Sequence, residues 1–250
     1  TVSETSTMPH EDFKYFKFFH FLIQMMWSKK WYFYFLILLK NEYKIHPVDF
    51  IARLTEFAKE KNSKLYPVYK EFMQDYSDAE NFETEKDLEK YWSKEENFQR
   101  LKDGTYGKLN MLYTYKVILE HKENFSDALL KVCEQFSKSG KLNESNFLEK
   151  CKEIIKFQNC KFLSFTDDND LIHEFKQSFK LNIFEWVKSD FKILKKNMNN
   201  ETIDYNFYLS KNKKDTIITQ LSSNKSSSLN SKLRDMTVYT STDQFFYDVR

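Results

Sequence analysis

Residues 13–27 read FKYFKFFHFLIQMMW, and nearly every position in this segment is apolar. The polar residues in and just after it recur every three or four positions, on one narrow stripe of a helix: Lys14, Lys17, His20, Gln24 and Ser28. A helix at the surface of a globular protein normally has a broader polar face. The segment therefore predicts a helix that begins near Pro9 and is covered by other protein on most of its sides.

A second apolar segment, residues 31–41, predicts a helix that covers part of the first. We expect the remaining apolar surface to lie against protein that precedes this chain, so that residues 1–8 are the end of a missing domain. On this interpretation the isolated chain would expose a large apolar patch and would self-associate.

The two apolar segments do not predict a membrane span. Each is about half of the roughly 20 residues that a spanning helix needs. Three polar residues, Ser28, Lys29 and Lys30, separate them. No secretory signal is visible, so we expect a cytoplasmic protein without a membrane partner.

The composition favours helices. Aromatic residues make up 18% of the 250 residues, with 25 Phe and 15 Tyr beside only 3 Gly and 3 Pro. A formal net charge of +2 gives no general attraction to nucleic acid or anionic lipid. The cysteines Cys133, Cys151 and Cys160 are odd in number and match no zinc or iron–sulfur spacing, so we expect reduced thiols packed in the core.

Helical periodicity covers most of the chain up to residue 158. Beyond the first two helices, apolar stripes predict helical segments at residues 48–60, 67–76, 85–102, 108–120, 126–137 and 143–157. A polar link at 77–84 and a glycine-containing turn at 103–107 separate some of them. We therefore predict a helical domain over residues 9–158.

The pattern changes after residue 158. Alternating apolar and polar residues predict strands at 179–183 and 203–209, with shorter candidates at 216–219, 237–239 and 245–247. A Ser- and Asn-rich stretch at 222–231 is typical of a loop. The predicted fold class is α+β, mainly α, with a small α+β region over residues 159–250 that forms a small antiparallel sheet.

No residue pattern identifies a catalytic, cofactor-binding or metal-binding site. The five histidines match no metal motif, and no glycine-rich phosphate loop or nucleophile elbow is present. His20 is expected in a polar seam, although its stripe would also fit a cavity shared with a preceding domain. The acidic stretch 167–170 lacks the Gly and distal Glu of a calcium loop, which favours a solvated turn.

Basic residues lie on both sides of an aromatic strand near the C-terminal end. The lysines of residues 192–196 and 211–214 flank Tyr205, Phe207 and Tyr208. Aromatic and basic residues on a sheet bind single-stranded nucleic acid in other proteins. The aromatic residues here alternate as core residues do, and the RNP pattern is missing, so we do not expect nucleic acid as a partner.

The opening segment carries a family resemblance. Residues 4–13 read ETSTMPHEDF, and residues 24–29 read QMMWSK after an aromatic-rich helix. This pattern resembles the region after the radical barrel in bacterial cobalamin-binding radical S-adenosylmethionine (radical SAM) enzymes, where a Thr-Met-Ser-x-Glu-Asp segment starts a helical C-terminal region. Pro9 stands in place of that Ser. Residues 232–239, KLRDMTVY, are similar to a later segment of the same family, whereas residues 240–244 replace its Gly- and Arg-containing loop.

The resemblance implies that this chain is the C-terminal region of a radical SAM enzyme, packed on the upstream barrel at its substrate side. The parent enzyme would cleave S-adenosylmethionine with a 4Fe–4S cluster, and cobalamin is a candidate methyl carrier. The cysteine loop and the cobalamin-binding domain of the family are not among these residues, so no catalytic or cofactor residue is assigned here.

The alternative is a stand-alone helical module that binds a partner protein and has no enzymatic activity. The reading frame upstream of Thr1 distinguishes the two. A cysteine triplet in the preceding few hundred codons supports the enzyme, and an in-frame start immediately before Thr1 supports the module.

Overall fold

The computed structural model describes residues 9–79, 82, 84–102, 109–138, 146–166, 168–192, 194, 201–223, 229, 232–233, 236 and 242–250. The α-helices in this part of the chain are α1 (His10–Ile23), α2 (Phe33–Tyr43), α3 (Pro47–Lys59), α4 (Tyr66–Ala79), α5 (Glu85–Trp92), α6 (Glu95–Lys102), α7 (Leu109–Tyr115), α8 (Lys122–Phe136), α9 (Phe147–Lys161), α10 (Ile183–Lys188) and α11 (Lys211–Ser223). Two π-helical turns, Gln24–Ser28 and Lys116–Glu120, extend α1 and α7, and a 3₁₀ turn covers Thr242–Phe245.

The strands of the described residues form one small antiparallel sheet in the order β1 (Glu174–Phe179), β2 (Ile203–Tyr208) and β3 (Asp248–Val249). Phe207 pairs with Phe175 on one side and with Val249 on the other. The sheet packs on α9 through Phe157, whose ring centroid lies 5.5 Å from that of Phe207. The prediction of a mainly helical α+β fold with a small antiparallel sheet is confirmed.

Helix α1 is covered by other helices of the same chain. The ring centroids of Phe18 and Phe21 lie 5.2 and 5.3 Å from that of Phe72 in α4. On another side, Phe21 lies 6.4 Å from Tyr113 in α7. Edge-to-face and offset contacts of this kind add to the stabilisation that comes from burying the rings. The narrow polar stripe thus correctly indicated a helix surrounded by protein.

The expectation that this cover comes from a missing domain is wrong for most of the surface. Among the described residues of the first two helices, the large apolar side chains with substantial exposure are Phe16, at 47%, and Trp27, at 37%. The others are buried or half-buried within the chain. The expected large apolar patch is therefore not found in the described part of this segment. The expected self-association stays a prediction.

Helix α2 is fixed at its start by a buried glutamine of α9. No side chain of α2 itself caps this end. The Gln158 Oε1 accepts a hydrogen bond from the Phe35 amide at 2.8 Å, and its Nε2 donates to the Trp31 carbonyl at 3.1 Å. Because the first amides of a helix have no partner within the helix, this side chain supplies one that local sequence does not. It also holds the start of α2 against the end of α9.

One of the predicted strands is helical, and another lies earlier in the chain than expected. Residues 216–219 lie in α11, where the Thr216 hydroxyl donates to the Asn212 carbonyl at 2.8 Å and Ile217 is buried. The strand predicted at 179–183 shares only Phe179 with β1, which covers Glu174–Phe179. Ile183 already belongs to α10, which the Asn182 side chain caps by accepting from the Glu185 amide at 3.2 Å. In both places β-branched or alternating residues suggested a strand, but the chain forms a helix in which a side chain is hydrogen-bonded to the backbone.

The charged segment 85–102 forms two helices. The break falls at Ser93 and Lys94, where the Asn97 Nδ2 donates to the Tyr91 carbonyl at 2.9 Å and satisfies the end of α5. Leu88, expected on the buried side, is 40% exposed. The prediction that Leu88 is buried is therefore wrong, whereas Tyr91 and Trp92 of the same predicted face are half-buried.

Several predictions fall on residues that the structure does not describe. These are the end of a preceding domain at 1–8, the turn at 103–107 and the strand at 237–239. Of the predicted loop at 222–231, Ser222 and Ser223 belong to α11. The strand predicted at 245–247 is displaced to Asp248–Val249, with Phe246 making a single bridge to Phe162.

Within the described ranges, no helix combines the length and the apolar character needed to cross a membrane.

Candidate ligand-binding pocket

The polar stripe of α1 lies against α7. The Asn110 Nδ2 donates to the Gln24 Oε1 at 2.7 Å and lies 3.5 Å from the His20 Nδ1. His20 itself is at the exposed end of this contact. The expected polar seam is confirmed, and its partner is a helix of the same chain.

The acidic stretch near residue 168 forms a turn. The Thr166 amide donates to the Asp170 carbonyl at 2.8 Å, and the Asn169 amide donates back to the Thr166 carbonyl at 2.9 Å. Asn169 has a φ of 64°, a conformation that Asn tolerates better than most residues. No group of three or more His, Cys, Asp or Glu side chains suited to a metal ion occurs among the described residues.

The three cysteines are free, and two of them, Cys133 and Cys151, are buried. Burial raises the pKa of the Cys151 thiol, and the neighbouring Cys133 raises it further. Burial also raises the pKa of the Cys160 thiol. Because the thiolate is the reactive form, the raised pKa values make the Cys151 and Cys160 thiols less reactive than an ordinary cysteine.

The aromatic strand β2 divides its residues between the core and a pocket. Tyr205 and Phe207 are buried against Phe157 of α9, with ring centroids 5.7 and 5.5 Å away. Tyr208, the next residue along, lines a pocket together with Lys213 from the start of α11. The residues that suggested a nucleic-acid surface therefore do not form one surface. Tyr205 and Phe207 lie in the core, whereas Tyr208 and Lys213 lie beside a recess.

The recess is a pocket of about 450 Å³ between the end of α9 and the C-terminal strand. Helix α2 contributes Tyr34, α10 contributes Phe184 and Val187, and the end of the chain contributes residues 246–249. A smaller recess of about 90 Å³ adjoins it, lined in part by Lys30, Phe33 and Gln158. Tyr34, Lys161 and Phe246 line both.

Lys161, the last residue of α9, presents a half-buried amine to both recesses. Its Nζ lies 5.0 Å from the ring centroid of Tyr34 and 5.6 Å from that of Phe246. Its Nζ donates a hydrogen bond to the Tyr34 hydroxyl at 3.5 Å, and none of the carboxylates in the described ranges forms an ion pair with it. The pKa of this amine is lowered to about 8, mainly by burial and also by the charge of Lys213, while Asp248 opposes the shift.

A second lysine in the pocket is held in place. The Lys213 Nζ donates to the Asp248 Oδ1 at 2.6 Å and to the Phe246 carbonyl at 3.1 Å. Burial acts to raise the pKa of Asp248, but the hydrogen bond and charge of Lys213 outweigh it and keep the pKa below its usual value. The charge of Lys213 is therefore compensated by a carboxylate, whereas the charge of Lys161 has no such partner among the described residues.

The recesses together carry more positive than negative charge. Lys30, Lys161 and Lys213 line them, against Asp243 and Asp248. The walls are largely aromatic, with Tyr34, Phe184, Tyr208 and Phe246 around the larger recess. This combination suits a small ligand that has an anionic group and a planar or apolar part.

Lys161 was not identified from the sequence. It is one of 39 basic residues, and no motif surrounds it. Its environment arises from residues that are distant along the chain: Tyr34 is 127 positions before it, and Phe246 is 85 positions after it. No local signal would have distinguished it from a surface lysine.

The chain matches no protein-family model, and the comparison with curated proteins found no match.

Proposed function

We propose that this chain is a binding domain that holds a small anionic ligand in the aromatic pocket around Lys161. The observation that carries the proposal is a half-buried ammonium group that lacks a carboxylate partner among the described residues. Burying a charge without a partner is costly. A ligand that brings a negative charge would relieve that cost.

The electrostatics of the pocket favour a monoanion or dianion. Lys213 is already neutralised by Asp248, at 2.6 Å, so Lys161 provides the uncompensated charge. Lys30 lies at the rim of the adjoining recess and would add to the attraction. An ion pair in a partly dehydrated pocket is stronger than the same pair at an exposed surface.

The walls favour a ligand with a ring or another flat apolar part. Phe184 lines the pocket and is 38% exposed, with the Lys188 Nζ 4.4 Å from its ring centroid. Tyr208 and Phe246 are half-buried beside it. Rings that stack on such surfaces gain about 0.5–1.5 kcal/mol beyond the burial of their area.

Calorimetric titration with phenyl phosphate tests this proposal. We expect the wild-type protein to bind this probe, and Lys161→Met to weaken binding about tenfold or more, because a hydrogen bond to a charged group contributes roughly 1.5–3 kcal/mol. Lys211→Met is the matched control, since it removes the same charge from an exposed position of α11. Benzyl alcohol, which has the ring without the charge, should bind much more weakly.

Two results would contradict anion binding at this site. One is the absence of any phenyl phosphate binding to the wild-type protein at millimolar concentration. The other is equal affinity in the wild type, Lys161→Met and Lys211→Met.

We further propose, from the resemblance of residues 4–29, that the domain is the C-terminal region of a cytoplasmic radical SAM enzyme. Its role there would be to bind and position part of the substrate rather than to perform the chemistry. The exposed ring of Phe16, with Tyr15 and Phe19 at 5.4 and 6.2 Å, supports a contact between α1 and an upstream barrel. If a purified fusion with the upstream reading frame holds no iron–sulfur cluster, the stand-alone interaction module becomes the better proposal.

A further inference from the structure

We propose that the Lys161 amine forms a reversible imine with a small aldehyde or ketone that carries an anionic group. This inference rests on the proposed function for the recognition of the anion. It adds that the ligand has a carbonyl group within reach of Nζ and that binding includes a covalent step.

Among the described residues, the Lys161 amine lacks the carboxylate partner that two other lysines of low exposure have. The Lys150 Nζ lies 2.7 Å from the Glu42 Oε2, and both side chains are largely buried. The Lys213 Nζ lies 2.6 Å from the Asp248 Oδ1. Both of those nitrogens have their protons fixed by a carboxylate, whereas Lys161 has the 3.5 Å contact with the Tyr34 hydroxyl.

The Lys161 side chain is also accessible to a ligand from the two recesses. The Lys161 side chain lines both recesses, and its Nζ lies 5.0 and 5.6 Å from the ring centroids of Tyr34 and Phe246, which line both as well. The larger recess, about 450 Å³, has room for a compound with a ring and a phosphate or carboxylate group. Nucleophilic lysines in other proteins are similarly desolvated by an apolar pocket or placed beside another cation.

A further support is the set of charges that faces the amine. Lys213 at the start of α11 opposes its protonated form, and Asp248 in β3 favours it. Lys30 and Asp243 are the other charged residues that line the two recesses. Burial is the largest of the effects that together bring the pKa to about 8. Near that pH about half of the Lys161 amines are neutral, whereas an ordinary lysine with a pKa near 10.4 is almost fully protonated.

The chemical step is balanced without any further reagent. The nitrogen lone pair attacks the carbonyl carbon, and a proton passes from nitrogen to the former carbonyl oxygen to give a carbinolamine. The hydroxyl then leaves as water together with the remaining proton on nitrogen, and this forms the C=N bond of the imine. No atom changes its oxidation level, and water reverses the reaction. The Tyr34 hydroxyl, 3.5 Å from Nζ, is the group that can carry the proton.

Reductive trapping tests the inference on the intact chain. Pyridoxal 5′-phosphate, an aromatic aldehyde with a phosphate group, is added at pH 8 with cyanoborohydride, which reduces an imine to a stable secondary amine. Peptide mapping by mass spectrometry then gives the rate at each lysine. We expect Lys161 to be modified about tenfold faster than the exposed Lys211, because its neutral fraction is roughly 100-fold larger while its lower basicity makes it a weaker nucleophile.

Two controls separate the covalent step from anion binding. Pyridoxine 5′-phosphate has an alcohol in place of the aldehyde and should bind and protect Lys161 without forming an adduct. Lys161→Arg should keep the affinity for pyridoxine 5′-phosphate within about threefold, since the charge remains, and should give no adduct at this position. The rates at Lys161, Lys150 and Lys211 come from one wild-type sample, so they do not depend on the folding of a variant.

The outcomes are distinguishable. If pyridoxine 5′-phosphate binds but Lys161 is trapped no faster than Lys211, the imine is overturned and the anion site stands. If Lys161 is trapped rapidly and pyridoxine 5′-phosphate does not bind, the covalent step stands and the proposed anion site falls. Slow trapping without binding overturns both.

Discussion

Replacing Gln158 with Leu will lower the free energy of unfolding by about 2–5 kcal/mol, because it leaves a buried amide and a buried carbonyl without partners. Gln158 is 3% exposed, and its side chain serves the Phe35 amide at 2.8 Å and the Trp31 carbonyl at 3.1 Å. Leu has a similar volume, so packing changes little and the effect isolates the hydrogen bonds. Urea denaturation followed by circular dichroism measures it.

The matched control is Gln99→Leu. Gln99 lies at the surface of α6, where its Nε2 donates to the Glu95 Oε1 at 2.6 Å. Water replaces that bond when it is lost, so we expect a change within about 0.5 kcal/mol. A change below about 1 kcal/mol for Gln158→Leu would mean that the start of α2 does not depend on α9.

Replacing Lys161 with Met will stabilise the protein at pH 7 while it weakens the binding of phenyl phosphate. The folded-state pKa of about 8, against an ordinary value of 10.5, corresponds to roughly 3 kcal/mol of unfavourable burial of the charged form. Because the side chain is only half-buried and water reaches part of it, we expect a gain of about 1–3 kcal/mol. Lys211→Met should change stability by less than about 0.5 kcal/mol.

The pH dependence of the Lys161→Met effect has a definite sign. Below pH 8 the lysine is protonated in both the folded and the unfolded wild-type protein, so the full penalty is present. Between pH 8 and 10.5 the unfolded state binds more protons than the folded state, and the wild type gains stability relative to the variant as the pH rises. The gain from Lys161→Met should therefore be constant below pH 8 and should shrink toward pH 10.5.

Two results from paired denaturation curves at pH 7 and pH 10 would contradict this account. One is a less stable variant at pH 7, which would mean that the ammonium is well solvated or paired. The other is a gain that does not depend on pH.

The sequence predicted those parts of the fold that local patterns determine. The narrow polar stripe of α1 indicated a surrounded helix, and the alternation at residues 203–209 correctly placed β2. The same rules failed at residues 216–219, where two isoleucines between threonines suggested a strand. Only Ile217 among them is buried, so little packing favours a strand over the helix that the Thr216 hydrogen bond accompanies.

The pocket was beyond sequence reasoning for a different reason. The contacts of Gln158 join residues 123 and 127 positions apart, and the wall of the pocket combines α2, α9, α10 and the end of the chain. Periodicity reports which face of an element is buried and leaves open which elements meet there. The apolar first helices illustrate the same limit, since their pattern required a cover but did not reveal that α4 and α7 supply it.

We propose that the Lys161 amine is a partly desolvated group and that an anion in the pocket stabilises its protonated form. Its titration, followed by NMR in protein with ¹³Cε-labelled lysine and identified by comparison with Lys161→Arg, measures this directly. We predict a pKa of about 8 in the free protein and a higher pKa in the presence of phenyl phosphate, because a nearby negative charge favours the protonated amine. A pKa near the ordinary value of 10.5 that phenyl phosphate does not change would contradict the account.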